Sequence, residues 1–303
     1  INQNRNVAET QPQPTPAIWP QPKKLLAISD VEGSYDDVFR FLKANKVIDK
    51  HGAWSFGDAH LVCVGDFVDR GSQVTETLWL FHRLAREAET AGGRVHFLLG
   101  NHEAMVLGGD VRYTPDKYKN LAAALGLKTE ELLGKNTVLG RWLRSCNSII
   151  RVGDTVFVHA GLSPSVASTP LDYEAINVSI RSVVGKPIHL IKDLALRELA
   201  WGRTGPLWYR GYFEQHEATF GPLPTIPQLD QLLKSAGANR IVVGHTKVKR
   251  VTSMFDGRVI ALDIPWTYPK HVRGLLFENG DVGTVDIQGK HEPFLSLAGA
   301  LGD

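Results

Sequence analysis

The side chains that could do chemistry fall in five short segments of the chain. These are Ser29-Asp30-Val31-Glu32-Gly33, Gly65-Asp66-Phe67-Val68-Asp69-Arg70-Gly71, Gly100-Asn101-His102-Glu103, Phe157-Val158-His159-Ala160-Gly161 and Val243-Gly244-His245-Thr246. Together they offer carboxylate, amide and imidazole donors and no thiolate. Such a set suits Mn, Fe or Zn held for catalysis, not a Cys-rich structural zinc. Each segment alone has a plainer reading. Asp-Val-Glu-Gly commonly starts a capped helix, Asp-Arg-Gly is commonly a surface turn, and a single histidine is commonly a satisfied core residue. The metal reading rests on all five occurring in order, each directly after an apolar run.

Those runs predict the elements that must position the donors. Lys24 to Asp30, Leu61 to Asp66 and Val95 to Gly100 read as buried strands. Between them, Asp36 to Val47 and Ser72 to Ala91 place apolar residues at helical spacing, the second closed by Gly92-Gly93. Alternating strands and helices argue for an α/β core. In open α/β sheets ligands bind where the strands end, which is where the donor segments lie. The adjacent glycines permit turns tight enough to bring backbone close to a ligand. Residues 115 to 145 read as mostly helical. Two hairpins follow, Ser148 to Val158 turning at Gly153-Asp154 and Leu275 to Ile287 turning near Asn279-Gly280. Between them come a helical stretch at 172 to 200, an aromatic-rich loop at 201 to 224, a helix at Pro227 to Ala238, and strands at Arg240 to Val243 and Arg258 to Asp263. The late strands predict a second sheet, hence a sandwich with helices outside.

Composition bounds the alternatives. The 303 residues are 43% hydrophobic and 22% charged, and 34 basic residues nearly balance 32 acidic ones. This is globular composition, long enough for a large core without staples. No basic block points to nucleic acid, and no apolar run approaches the ~18 residues of a membrane span. Two cysteines cannot form a disulfide framework, and Cys63 in Leu61-Val62-Cys63-Val64 reads as a buried free thiol. Residues 1–22 are Pro-rich and read as extended, linker-like chain, with Trp19 a candidate anchor. Residues 23–303 read as one domain, with a mostly helical insertion at about 104–145 and a substrate-side loop at about 201–224. The chain opens on Ile1, so the Pro-rich segment is either a stalk left after removal of an export signal or the edge of a trimmed chain. The expectation is export to the periplasm or beyond, with the cytoplasm as the alternative.

The five segments resemble the calcineurin-like metallophosphoesterases, in particular the phosphoprotein phosphatase branch. Gly109-Asp110-Val111-Arg112-Tyr113 and Pro206-Leu207-Trp208-Tyr209-Arg210-Gly211 are similar to the Shewanella-like phosphatases. The similarity spans roughly residues 24 to 287. It implies a βαβ sandwich of two mixed sheets flanked by helices, in α/β/β/α layers. It implies two divalent metal ions, with Asp66 bridging them, Asp30 and Glu32 completing one, and Asn101, His159 and His245 holding the other. It also implies His102 as general acid, Asp69 as its orienting carboxylate, and Arg70 and Arg210 as phosphate-gripping guanidiniums.

Two positions depart from the family pattern: its usual histidine is Glu32 here, and, a smaller matter, its leading glycine is Ser29. A carboxylate in place of imidazole adds negative charge and favours harder ions, so Mn is the expected metal, with Fe or Zn possible. Three functions compete. The favoured one is hydrolysis of phosphate esters, on phosphoprotein or phosphopeptide, by direct attack of a hydroxide shared by the two ions. The second is hydrolysis of dinucleoside polyphosphates, which shares Gly-Asn-His-Glu and His-Ala-Gly-Leu. The third is an inactive metal-binding interaction module, against which the intact His102, Asp69 and Arg70 argue. The expected partner is a phosphorylated protein or peptide, or a small phosphate ester. The sequence specifies no oligomeric state.

Overall fold

The computed structural model describes residues 12–166 and 170–295. In chain order the strands are β1 (Ile18–Trp19), β2 (Lys24–Ile28), β3 (His60–Cys63), β4 (Arg94–Phe97), β5 (Ile149–Val152), β6 (Thr155–Val158), β7 (Arg240–Val243), β8 (Thr252–Met254), β9 (Val259–Ala261), β10 (Arg273–Glu278), β11 (Asp281–Asp286) and β12 (His291–Leu295). The helices are α1 (Tyr35–Ala44), α2 (Val74–Thr90), α3 (Asn101–Leu107), α4 (Asp116–Ala124), α5 (Val138–Ser145), α6 (Tyr173–Val183), α7 (Leu194–Trp201), α8 (Glu217–Phe220) and α9 (Ile226–Ala236).

They build two mixed sheets. One has the order β1-β5-β6-β7-β9-β8 and the other β12-β11-β10-β2-β3-β4. In the second, β2, β3 and β4 run parallel through two βαβ crossovers, and the hairpin β10–β11 adds antiparallel to β2. In the first, β6, β7 and β9 run parallel. The sheets stack face to face: Leu25, Ala27, Val62 and Val64 of one meet Ile150, Phe157, Val242 and Ile260 of the other. The outer face of the second sheet packs on α1 and α2 through Val38, Phe41, Leu78 and Phe81. The outer face of the first packs on α9 through Leu229 and Leu232. The layers are therefore α/β/β/α, as expected.

Local chemistry explains the element boundaries. Helix α9 opens with Thr225, whose hydroxyl accepts from Gln228 N, while the Gln228 side chain accepts from Thr225 N. It closes on Gly237 in the left-handed conformation, which suits glycine at a helix C-terminus. The expected helical stretch at 172–200 is two helices, interrupted where Gly185-Lys186-Pro187 cannot continue α6. The region expected to be mostly helical holds α4, a 3-10 turn at Thr129–Leu133 and α5.

Residues 18 and 19, within the segment expected to be linker-like, form β1 and pair parallel with β5. Trp19 packs edge-on against His96 and His60, with the Arg94 guanidinium over its ring. Cys63 and Cys146 are buried free thiols. Among the described residues no helix is long and apolar enough to cross a membrane.

Candidate metal centre and active site

The donor segments leave their strands within three residues and turn toward one place, where Asp30, Asp66, His102 and His245 line a cavity of about 370 Å³ and His159 and Asn101 pack against them. The turns are sharp. Asp30, Glu32, Asp66, Asp69, Arg70 and His245 all have φ between 47° and 67°, a left-handed backbone that non-glycine residues rarely adopt. Such a concentration at one place is the mark of a site that the surrounding structure over-determines. Gly65 shows how tightly the turns nest: a Cβ there would stand 2.6 Å from His159 Nδ1 and 2.7 Å from the Gly100 backbone.

Asp66 lies at the centre. Its Oδ2 is 3.1 Å from His159 Nε2 and 3.9 Å from His102 Nε2, and its Oδ1 accepts from His102 N at 2.8 Å. His159 Nε2 is also 2.9 Å from Asn101 Oδ1 and 3.2 Å from His245 Nδ1. His159 Nδ1 donates to Val64 O, so the lone pair of Nε2 points into the cluster. Asp30 accepts from His245 N and from the Ser29 hydroxyl. Potential ligand atoms of Asp66, His159 and His245 lie within 4.8 Å of one another, and so do those of Glu32, Asp66 and His102.

Glu103 holds the scaffold rigid. Its carboxylate accepts from the backbone N–H groups of Asp66, Phe67, Val68 and Gly100. It thereby ties the turn after β3 to the start of α3, the two pieces that carry Asp66, Asp69, Asn101 and His102.

The electrostatics are those of a cation site. Burial pushes Asp30 well above the usual carboxylate range, and the charges of Asp263 and Asp66 push it further. Burial and Asp66 likewise raise Asp263, to about 6. Burial disfavours a charged Asp66, but the imidazoles of His159 and His102 outweigh it and hold the carboxyl well below its ordinary range. Burial opposes charge on His159, yet the Asp66 carboxylate carries it upward, whereas burial and His159 push His245 well down. His245 Nε2 is buried with no hydrogen-bond partner among the described residues. Three buried carboxylates and an orphaned imidazole nitrogen in one cavity fit divalent cations, which satisfy both at once.

Beside the donors stands an oriented histidine. His102 Nδ1 bonds to Asp69 Oδ2 at 2.8 Å, and Asp69 Oδ1 accepts from Thr114 Oγ1 at 2.7 Å. This leaves His102 Nε2 facing the cluster. Two arginines border the cavity. Arg70, with a side chain 40% exposed, pairs with Glu32. Arg210 is half-buried and donates to His245 O and Thr246 Oγ1.

The structure thus brings Asp30, Glu32, Asp66, Asp69, Arg70, Asn101, His102, His159, Arg210 and His245 to one place. Asp263 joins them without having been anticipated, because it follows β9 with no glycine or histidine beside it to mark the turn. Thr114 and Tyr113 were also missed as site residues. The Tyr113 ring leans on His102, with centroids 5.2 Å apart, and lies under the Arg70 guanidinium.

A two-sheet sandwich with carboxylate and imidazole donors gathered at its strand ends defines a metal-dependent phosphoesterase. Residues 23–249 match the calcineurin-like phosphoesterase family, and the chain belongs to it. The chain superposes on the crystal structure of a cold-active protein-tyrosine phosphatase of a psychrophilic Shewanella with a TM-score of 0.86 and 39% identity, covering 93% of this chain and 83% of that one. It is 31% identical over 252 residues to an uncharacterized protein of Schizosaccharomyces pombe, covering 80% of this chain and 73% of that protein. It is 25% identical over 293 residues to Shewanella-like protein phosphatase 2 of Arabidopsis thaliana, covering 80% and 71%. The protein is a metal-dependent phosphatase whose cofactor is a pair of divalent metal ions.

Proposed function

We propose that this enzyme is a phosphomonoesterase of phosphoprotein or phosphopeptide, with phosphotyrosine its best ester and manganese its working metal. The observation that carries the reading is the His102–Asp69 pair set beside the Asp66 cluster in a cavity bordered by two arginines. Asp66 is assigned to both ions, Asp30 and Glu32 to one, and Asn101, His159 and His245 to the other. When bound, the ions supply Lewis-acid charge that activates water and neutralises the phosphoryl oxygens.

The rest falls to side chains. Arg70 and Arg210 hold the phosphate oxygens in the planar fork of the guanidinium. For Arg70 this means exchanging its pairing with Glu32 for the substrate. His102 Nε2 gives its proton to the leaving oxygen, and Asp69 holds the ring by Nδ1 and stabilises its charged form. Tyr113 is 46% exposed beside His102 and offers an aromatic wall to a departing phenol. The resemblance to a protein-tyrosine phosphatase points the same way. Manganese follows from the carboxylate of Glu32, which makes one half of the centre all oxygen.

The test is turnover of a phosphotyrosine peptide, a phosphoserine peptide and a dinucleoside tetraphosphate, after chelation and reloading with Mn, Zn or Fe. The phosphotyrosine peptide with Mn should lead. Fastest turnover of the dinucleoside tetraphosphate would overturn the substrate assignment, and best activity with Zn would overturn the metal.

A further inference from the structure

Behind the catalytic pair lies a second cavity, of about 290 Å³, between α2, α3, α4 and α5. Its wall is mostly apolar: Leu78, Val106, Leu132, Leu133 and Leu139 face it, and among the described residues no lysine, arginine or histidine lines it. Three of the five hydroxyls that line it are already spent. Thr114 donates to Asp69, Tyr118 donates to Ser72 O, and Thr137 donates to Gly134 O and caps α5. Trp79 and Leu121 also line it and are 45% and 46% exposed, so they mark its mouth.

We propose that this cavity is a binding site for a small neutral apolar molecule, and that its occupancy tunes the acid step. Size sets the class. An apolar cavity of about 150 Å³ takes up benzene, so one roughly twice as large holds about ten carbons. That is too small for a helix or a peptide segment, and the missing cation excludes a buried anionic head.

Position sets the consequence. The cavity's own wall includes Val68 and Asp69 from the turn after β3, Val106 from the helix that begins at Asn101-His102, and Thr114. An occupant therefore touches both pieces that fix the His102–Asp69 distance. An apolar occupant braces them, because it adds close van der Waals contacts across the cleft between the two pieces and takes their apolar side chains out of water. The kinetic half of the proposal rests on the reading of His102 as the acid; the binding half does not.

The experiment uses n-propylbenzene as the probe on the metal-loaded enzyme. Calorimetry should give saturable one-to-one binding. Val138→Trp, which fills the far wall, should weaken it at least about tenfold, as should Leu121→Glu at the mouth. Thermal melting of each variant reports whether it folds, and either one alone suffices for the comparison. In the wild type, bound n-propylbenzene should change turnover of an alkyl phosphate by about twofold or more while changing nitrophenyl phosphate less, since a good leaving group needs little protonation. Absence of saturable binding, or binding unchanged in the folded variants, overturns the site. Binding that leaves the alkyl ester unaffected, or moves both esters equally, overturns the coupling. The assignment of His102 is tested separately, by its own substitution without the probe.

Discussion

Two pairs of buried histidines sit in this molecule with nearly the same internal geometry. His159 and His245 lie at the strand ends, ring centroids 4.9 Å apart and nitrogens 3.2 Å apart. His60 and His96 lie on β3 and β4 themselves, with centroids also 4.9 Å apart and nitrogens at 3.1 Å. Their surroundings differ completely. The first pair shares its cavity with Asp30, Asp66 and Asp263. The second is covered by Trp19, whose ring carries the Arg94 guanidinium, and among the described residues no buried carboxylate lies beside it. The first pair is accordingly split, with His159 drawn up by Asp66 and His245 pushed down, while burial drives both members of the second down, to about 4 and about 3. A histidine pair is thus not a site. The carboxylates make it one, because only they bring enough negative charge to hold metal.

The largest way to break this contrast is to remove Asp66, the carboxylate proposed to serve both ions. Asp66→Asn should lower turnover by roughly three orders of magnitude or more and cost the protein metal, since a two-ion centre needs both ions. Metal analysis beside phosphate-release assays checks it. Full metal content with wild-type turnover would remove Asp66 from the bridging role.

Next in size is His102→Asn, expected to lower turnover of alkyl esters by roughly 10²–10⁴ with metal retained. The loss should shrink on nitrophenyl phosphate. An equal loss on both esters would mean that His102 serves the fold or the metal and not the leaving group.

Much of this centre was legible in the sequence because its chemistry is local. Short apolar runs ending in Asp, Asn or His, each beside glycine, announce strands that stop in tight turns. What escaped the sequence depends on contacts between distant parts. Asp263 reaches the cavity only because β9 lies next to β7 in the sheet. Thr114 supports Asp69 from 45 residues away. Helix α3, at seven residues, is too short to show a helical period, and β8 and β12 are short, with polar residues or Pro293 breaking any alternation. The strand at Ile18–Trp19 is only two residues long, and its partner β5 lies more than a hundred residues on.

Glu32 sharpens the comparison by degree. With Glu32 a ligand and Mn the working metal, as proposed, Glu32→His should move the best activating metal toward Zn or Fe. Glu32→Ala should weaken one ion by roughly tenfold, with partial rescue at high metal concentration, and free Arg70 from its ion pair. Activation curves for each metal decide. An unchanged curve with both ions retained would leave Glu32 as the partner of Arg70 alone.

The smallest effect is at the pair without carboxylates, and it falls on stability. In the folded protein His60 and His96 stay neutral down to about pH 4 and about pH 3, because burial disfavours their charge and each lies near Arg94. In the unfolded chain they titrate near the ordinary value of about 6.5. Above that pH both states hold the same protons and the pair has no effect. Below it the unfolded chain binds protons that the fold refuses, so stability falls as pH drops, and continues to fall until the folded values are reached. The Asp58 carboxylate pulls His60 the other way and blunts its share. Between pH 6.5 and pH 5 the pair should remove about 2–3 kcal/mol. Urea unfolding of the wild type and of a His60→Gln/His96→Phe variant across that range isolates the term, since every other titrating group is common to both proteins. The variant's stability should decline less steeply with falling pH. Parallel pH profiles would mean that the pair takes up its protons while folded, and the contrast between the two histidine pairs would then rest on metal affinity alone.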